Sequence, residues 1–134
     1  MKTLLKTSSL VVLASIGLAG GASAQEVLNV YNWSDYIGEE TVANFEKEYG
    51  VKVNYDVYDS NQVVEAKLLA GNSGYDIVVP TLADAARLIQ ANIFQEIDKS
   101  KLSNYGNLDP VILKQQAKYD PDNKFAVPYF WGTN

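Results

Sequence analysis

The sequence predicts an α/β fold built on a parallel sheet, and the alternation of two kinds of segment carries that prediction. Between residues 27 and 80, segments with the apolar pattern of strands alternate with segments whose apolar residues recur at helical spacing. Such alternation produces right-handed crossovers, which leave successive strands parallel and flanked by helices. The 134 residues also contain no Cys, so a buried core rather than a disulfide framework must hold the fold together.

Three strands and two helices are predicted in this segment. Residues 27–33 predict the first strand, residues 38–50 a helix, and residues 51–58, which alternate apolar and polar side chains, the second strand. A second helix follows and ends at Gly71, and the continuously apolar residues 75–80 predict a third strand covered on both faces.

The first helix should carry Glu39 and Glu40 in its first turn and Val42, Phe45 and Tyr49 on its apolar face. The second strand should bury Val51, Val53, Tyr55 and Val57, and the second helix should be capped by Asp59 or Ser60 and carry Val63, Val64, Leu68 and Leu69.

The rest of the chain predicts two more helices and an extended segment. One helix should run from about Leu82 to Ala91, and another should have Asp109 as its cap and Pro110 in its first turn. A turn at residues 120–123 leads into the apolar segment FAVPYFW, which Pro128 interrupts. Because nothing follows to cover this segment, we expect residues 25–134 to be the N-terminal portion of a longer domain.

The first 24 residues have the pattern of a cleaved secretory signal peptide. Lys2 and Lys6 form a positive segment, an apolar run follows, and Ala22-Ser23-Ala24 supplies the small residues of a cleavage site after about Ala24. The apolar run contains Ser and Gly and is shorter than the ~20 apolar residues of a membrane span. We therefore expect an exported protein without a membrane anchor. An unanchored binding protein needs an outer membrane to retain it, which points to the periplasm.

Composition narrows the possible functions. Without the first 24 residues the chain keeps nine of its 11 basic residues and all 16 acidic ones, which gives a net charge of −7. An acidic surface is a poor partner for nucleic acid, whereas cationic solutes suit it. The chain has no His and no Cys, so zinc sites built on these residues and Ser-His-Asp triads are excluded within it. No metal, cofactor or catalytic residue is expected.

The stretch YNWSDY, residues 31–36, is the strongest candidate for a binding site. In an open parallel sheet, ligands bind outside the carboxyl ends of the strands, where Trp33, Asp35, Tyr36 and, after the third strand, Thr81 are predicted to lie. A carboxylate beside aromatic faces can hold an ammonium group, and the rings can cover methylenes. An alkyl amine offers both features. The alternative is that the aromatics belong to the core and Asp35 caps a turn.

Other candidates favour structural roles. Glu39 and Glu40 are more typical of a helix start than of a catalytic pair. Asp76 lies at the entry of the third strand, away from the carboxyl edge. The Gly-rich residues 71–74 follow a helix and precede a strand, the reverse of a phosphate-binding loop.

Several motifs together resemble one family. They are YNWSDYI, TVANFEKEYGVKVNYDVYDSN, KLLAGNSGYDIVVPT, IDKSKL, NLDP and KYDPDNKFAVPYFWGT. In this order they resemble the N-terminal third of periplasmic polyamine-binding proteins of ABC importers, most nearly the putrescine-binding branch. The resemblance implies a two-lobed, type II periplasmic-binding-protein fold, of which residues 25–134 are an incomplete first lobe. It implies that the protein captures a polyamine between its lobes and delivers it to an inner-membrane permease.

The resemblance also implies site residues. It places Trp33, Ser34, Asp35 and Tyr36 on the ligand, with a further contact from Thr81, where family members often have Ser or Tyr. Asp at position 35 is similar to putrescine binders, whereas Glu is commoner where spermidine is preferred. FAVPYFWGT resembles the segment that enters the first interlobe crossing. Two other hypotheses remain, a secreted α/β enzyme whose catalytic residues lie outside this chain and a related receptor for a different small solute.

Overall fold

A computed structural model describes residues 25–132. The predicted signal peptide lies outside the described residues. Within them the order of elements is strand, helix, strand, helix, strand, followed by helices and short 3₁₀ turns. The strands are β1 (Val27–Trp33), β2 (Lys52–Tyr58) and β3 (Ile77–Val78), the helices are α1 (Thr41–Tyr49), α2 (Asn61–Leu69), α3 (Leu82–Gln90) and α4 (Pro110–Gln116), and the 3₁₀ turns are Lys99–Lys101, Tyr105–Asn107 and Pro121–Asn123. None of the described helices combines the length and the apolar character that a membrane span requires.

The sheet has β1 at its centre and runs in the order β2, β1, β3. Both neighbours are parallel to β1, and Tyr31 pairs with Asp56 on one side and with Val78 on the other. The predicted α/β class and parallel sheet are confirmed. Since both connections pass through helices, the carboxyl ends of all three strands meet at one edge.

The core lies between one face of this sheet and the helices α2 and α3. The sheet contributes Tyr31 and Tyr58, whose rings meet edge to face with centroids 4.8 Å apart. Helix α2 adds Val64 and Leu68, and α3 adds Leu88, whose side chain has no exposed surface. Complete burial of a leucine stabilises a fold by about 1.5 to 3 kcal/mol, so this contact holds α3 against the sheet.

The predicted helix ends are confirmed where local chemistry determines them. The Ser60 side chain accepts a hydrogen bond from the Val63 N–H and caps α2, and Gly71, with φ +77°, follows the helix in the left-handed conformation. The Asp109 carboxylate caps α4 by accepting from the N–H groups of Val111 at 2.7 Å and Ile112 at 3.3 Å.

The prediction for α1 is wrong in two respects. The helix begins at Thr41, so Glu39 and Glu40 precede it instead of lying in its first turn, and Glu40 makes no side-chain capping bond. The helix also buries none of its residues, and Phe45 and Tyr49 are exposed. Helical spacing determines which side chains share a face, but burial requires another part of the molecule to pack against that face.

The burial predicted for β2 and β3 is also wrong in part. Val57 is 54% exposed and its neighbour Tyr58 only 4%, because α2 and α3 cover the face of the sheet on which Tyr58 lies. In β3, Ile77 is exposed and the ladder is two residues long. The exposed Ile77 side chain shows that the described residues do not cover the apolar run 75–80 on both faces.

The predicted turn at residues 120–123 exists, and a buried carboxylate organises it. Asp120 has no exposed surface and accepts hydrogen bonds from the N–H groups of Lys124, Phe125 and Ala126, each at 3.0 Å. The buried Gln116 side chain donates to the Ala126 carbonyl at 2.8 Å. Together these bonds fix the start of the extended segment that leads to the aromatic residues near 130.

Candidate functional site

The loop after β1 is anchored by polar contacts at its first residues. The Trp33 N–H donates to the Asn32 side-chain oxygen at 2.7 Å, and the Asn32 amide donates to the Tyr55 hydroxyl at 2.8 Å. The Ser34 N–H donates to the Tyr58 carbonyl at 3.1 Å, and the Ser34 hydroxyl points to the same oxygen at 3.4 Å. The backbone that leads into Asp35 is therefore held firmly to the edge of the sheet.

Asp35 lies in a left-handed turn with φ +63°. Asp tolerates this region better than most residues, and the turn directs the chain away from the sheet. The carboxylate is exposed and makes no hydrogen bond or ion pair with any residue between 25 and 132. Its oxygens are thus available to a ligand, which a carboxylate that served only to cap its own turn would not offer.

The two aromatic residues of the loop differ in burial. The Trp33 ring is half-buried and packs on Tyr58 with centroids 4.7 Å apart, so this residue is part of the margin of the core. The Tyr36 ring lies 6.4 Å from the Trp33 ring and is 47% exposed. The alternative that both are core aromatics therefore applies in part to Trp33 and not to Tyr36.

An open depression of about 490 Å³ lies beside this loop. Its walls come from Asp35, Tyr36, Ile37, Gly38 and Phe130. The Phe130 ring meets the Tyr36 ring edge to face with centroids 5.3 Å apart. The structure thus adds a residue that sequence reasoning missed, since the run Tyr129-Phe130-Trp131 is visibly aromatic but no spacing rule places it against residue 36.

A backbone contact holds the distant segment against the loop. The Tyr129 hydroxyl donates a hydrogen bond to the Tyr36 carbonyl oxygen. Asp120 fixes the start of the segment and Tyr129 ties it to the loop, so the backbone that leads into Phe130 is held at two points. The Phe130 ring, which forms one wall of the depression, is itself 73% exposed.

Thr81 lies at the same edge of the sheet but does not line the depression. The Val79 N–H donates to the Tyr31 carbonyl at 3.1 Å, and the Tyr58 hydroxyl donates to the Val79 carbonyl. These bonds keep the carboxyl ends of β1 and β3 adjacent, as the sequence predicts. Thr81 is exposed at the position that precedes α3. Of the predicted site residues, Asp35 and Tyr36 line the depression, and Trp33, Ser34 and Thr81 do not.

Charged groups near Thr81 form a second cluster. Arg87 donates two hydrogen bonds to Glu65, both at 3.0 Å, and a third to the buried Asp84. The hydrogen bonds to Arg87 lower the pKa of Glu65, and chiefly the Glu65 carboxylate raises the pKa of Arg87. Burial, followed by the proximity of Tyr31 and of Asp84, raises the pKa of Tyr58. Tyr58 therefore remains a neutral hydroxyl donor at physiological pH.

A metal centre is not indicated by the described part of the chain. Between residues 25 and 132, no three acidic side chains come close enough together to share a metal ion. The chemistry at this edge is that of exposed carboxylates, aromatic faces and hydroxyl groups.

Comparison with known proteins identifies the family. Residues 40–134 match the model of a family described as "Bacterial extracellular solute-binding protein". The chain belongs to this family. Asp84, Thr81 and the segment from 120 to 131 lie within the matched residues, whereas Trp33, Ser34, Asp35 and Tyr36 precede them.

Curated relatives in the family are named for polyamines. The chain is 56% identical over 121 residues to the putrescine-binding periplasmic protein PotF of Escherichia coli (strain K12), covering 90% of this chain and 33% of that protein. It is 51% identical over 132 residues to the putrescine-binding periplasmic protein SpuD of Pseudomonas aeruginosa (strain UCBPP-PA14), covering 98% and 35%. The resemblance to polyamine-binding proteins, nearest to the putrescine branch, is confirmed. The chain spans about a third of the length of these relatives.

Solved structures agree with this family assignment. The spermidine/putrescine ABC transporter substrate-binding protein PotD from Streptococcus pneumoniae superposes with a TM-score of 0.76 at 36% identity, covering 81% of this chain and 33% of that one. A spermidine/putrescine ABC transporter protein from Listeria monocytogenes gives the same TM-score at 39% identity and the same coverage. The fold of residues 25–132 is therefore that of the corresponding third of such proteins.

Proposed function

We propose that this chain is part of a periplasmic solute-binding protein that captures polyamines, putrescine in preference to spermidine, and delivers them to the inner-membrane permease of an ABC transporter. One observation carries the proposal. The Asp35 carboxylate is exposed without a partner among the described residues, beside the rings of Tyr36 and Phe130, at the carboxyl edge of a parallel sheet. The names of the most similar relatives supply the ligand class.

The chemistry of an alkyl diamine matches this arrangement. Hydrogen bonds between an ammonium group and the Asp35 carboxylate contribute about 1.5 to 3 kcal/mol. A cation over an aromatic face gains about 0.5 to 2 kcal/mol, and each methylene removed from water about 0.8 kcal/mol. Tyr36 and Phe130 provide faces for both effects. A sugar would need a larger set of hydrogen-bonding side chains, and a carboxylate ligand would be repelled by Asp35.

The domain organisation is part of the same proposal. Residues 1–24 are a signal peptide that is cleaved after about Ala24, and residues 25–134 are the N-terminal portion of the first lobe, which ends near the first crossing between lobes. Two observations support this view. The relatives are about three times as long as the chain, and the depression beside Asp35 is open to solvent. A ligand held there would need further groups from the remainder of the protein.

Localisation and mode of action follow from the family. The relatives are named as periplasmic proteins, and the N-terminal pattern of this chain is that of an export signal. We propose that the protein is exported to the periplasm and that it binds and releases its ligand unchanged, without a cofactor. Its partners are then a polyamine and a permease, and neither a nucleic acid nor a membrane anchor is needed.

Calorimetry of the full-length protein with a panel of ligands tests this function. We expect putrescine to bind more tightly than spermidine, and 1,4-butanediol, which has the same carbon chain without charge, to bind far more weakly. An amino acid and a sugar complete the panel. Tighter binding of either would favour a receptor for a different solute, and conversion of putrescine to a new product would favour the enzyme hypothesis.

A further inference from the structure

The first turn of α3 contains a contact that its sequence pattern does not predict. Thr81-Leu82-Ala83-Asp84 has a threonine followed three residues later by an acid, the spacing of a capping box, in which the threonine oxygen accepts a backbone N–H. Here Thr81 makes no capping bond. Its hydroxyl donates instead to the Asp84 carboxylate, so the hydroxyl proton is committed to that oxygen.

Asp84 is itself held in place from the other side. The residue is 5% exposed, and one carboxylate oxygen accepts from Thr81 while the other accepts from Arg87. Arg87 is in turn fixed by its paired hydrogen bonds to Glu65 on α2, both at 3.0 Å. The contacts that run from Glu65 on α2 through Arg87 to Thr81 therefore hold the Asp84 carboxylate in a single orientation. With both oxygens occupied and little exposed surface, Asp84 is not available as a direct ligand group.

A hydroxyl group has one proton to donate and two lone pairs with which to accept. With its proton directed to Asp84, the exposed Thr81 oxygen has only lone pairs to offer a ligand. We propose that Asp84 is a positioning residue that makes the Thr81 hydroxyl an obligate acceptor, so that this edge of the site selects a ligand end with N–H donors over one with oxygen acceptors. The inference rests on the proposed function, because it assumes that a ligand end reaches Thr81.

The location of the pair supports an effect on the site. Thr81 lies two residues after Val79, whose carbonyl accepts from the Tyr58 hydroxyl, and the Tyr58 ring packs against Trp33 with centroids 4.7 Å apart. The Asp84 charge also contributes to the raised pKa of Tyr58. Through Val79, Tyr58 and Trp33, the backbone that leads to Thr81 is therefore connected with the loop carrying Asp35.

A double-mutant cycle in the full-length protein tests the proposal, with putrescine affinity measured by calorimetry. Thr81→Val removes the hydroxyl and keeps the shape of the side chain. We expect putrescine affinity to fall roughly tenfold or more, because a hydrogen bond to a charged group is lost. Thr81→Ser keeps the hydroxyl and should retain most of the affinity. Asp84→Ala should weaken binding in the wild-type background and have no further effect in the Thr81→Val background. Additive losses would overturn the proposal.

The matched control is Glu48→Ala. Glu48 is exposed on α1 and has no contact with the Arg87 cluster, so the substitution changes the net charge equally without touching the groups that orient Asp84. We expect it to leave putrescine affinity nearly unchanged. Equal losses for Glu48→Ala and Asp84→Ala would assign both to general electrostatics and contradict a role through Thr81.

Ligand selectivity can distinguish the proposed role of Asp84 from a purely structural one, because a structural role would leave selectivity unchanged. The ratio of affinities for putrescine and 4-aminobutyrate, in which a carboxylate replaces one ammonium group, should fall in Asp84→Ala because the released Thr81 hydroxyl can then donate. An unchanged ratio would overturn the proposal.

If Asp84→Ala fails to fold, equal putrescine affinity of Thr81→Val and Thr81→Ser would overturn the proposal. Failure of the unmodified protein to bind putrescine would refute the proposed function instead, and is thus distinguishable.

Discussion

The segments that follow β1 and β3 at the carboxyl edge of the sheet each carry an aspartate, and these two aspartates are in opposite states. Asp35, after β1, is exposed in a left-handed turn and has no partner among the described residues. Asp84, after β3, is buried and uses both oxygens in hydrogen bonds. The difference teaches that a carboxylate close to a candidate site does not bind a ligand for that reason alone. A carboxylate can hold a ligand cation only if its lone pairs are not already used within the protein.

The difference has a structural origin in what lies beneath each loop. The loop after β3 continues into α3, which the buried Leu88 fixes to the core. The loop after β1 carries Tyr36, whose exposed ring contacts the exposed Phe130 ring at the surface. Substitutions in the first region should therefore change stability, and substitutions in the second should change binding.

The largest effect is expected from the core beneath the β3 loop. Leu88→Ala should lower the free energy of unfolding by about 2 to 5 kcal/mol, because it removes a fully buried side chain and leaves a cavity. Tyr36→Ala, at the exposed ring of the other loop, should lower it by about 1 kcal/mol or less. Thermal unfolding of the ligand-free, full-length protein measures both. Similar losses would mean that the β1 loop is as much a part of the core as α3.

Binding should respond most strongly to the free carboxylate. Asp35→Asn keeps the shape of the side chain and removes its charge, and we expect a loss of about 1.5 to 3 kcal/mol in putrescine binding, roughly ten- to a hundredfold. Glu40→Gln removes the same charge from an exposed residue at the start of α1 and should change the affinity little. Equal, small effects of the two substitutions, with circular dichroism unchanged, would assign Asp35 to a structural turn.

A smaller effect on binding is expected from the aromatic wall that only the structure identified. Phe130→Ala removes one side of the depression and its contact with Tyr36, which should weaken putrescine binding by about 0.5 to 1.5 kcal/mol. Phe45→Ala makes the same change on the exposed face of α1 and should have no effect on affinity. If both variants bind like the unmodified protein, Phe130 does not form part of the site.

The smallest effect concerns the pH dependence of stability at the Arg87 cluster. Hydrogen bonding to Arg87 lowers the pKa of Glu65 below its ordinary value of 4.5 in the folded state. The stabilisation is therefore present above pH 4.5 and is lost as the pH falls through the lowered pKa. The difference in melting temperature between the unmodified protein and Glu65→Gln should shrink between pH 7 and pH 3. A difference that stays constant over this range would show that the pair contributes nothing through its charge.

Most of the architecture was predictable because it depends on local rules. The bounds of β1 match the predicted residues 27–33, and Ser60 and Asp109 cap their helices as expected. The parallel sheet follows from the alternation of strands and helices. Each of these features is determined by hydrogen bonds and steric preferences within a few residues, or by a connection rule that holds across proteins.

The predictions that failed concern burial. Val57 and Tyr58 are adjacent, and the alternating pattern favoured Val57, yet Tyr58 is the buried one because α2 and α3 pack on its face of the sheet. Phe45 and Tyr49 show helical spacing on a face that no described residue buries. A periodic pattern identifies the side chains that share a face and carries no information about which face another element covers.

The sequence by itself determined the α/β class, the order of the elements and the position of Trp33, Ser34, Asp35, Tyr36 and Thr81 at the carboxyl edge of the sheet. Only the tertiary structure decided which of these groups are free. Phe130 meets Tyr36 because the Asp120 carboxylate and the Tyr129 hydroxyl hold a distant segment against the loop. Thr81 donates to Asp84 because Arg87 and Glu65 orient that carboxylate from a neighbouring helix. Whether a polar group is available to a ligand depends on hydrogen-bond partners that come from elsewhere in the chain, and a linear pattern does not contain those distances.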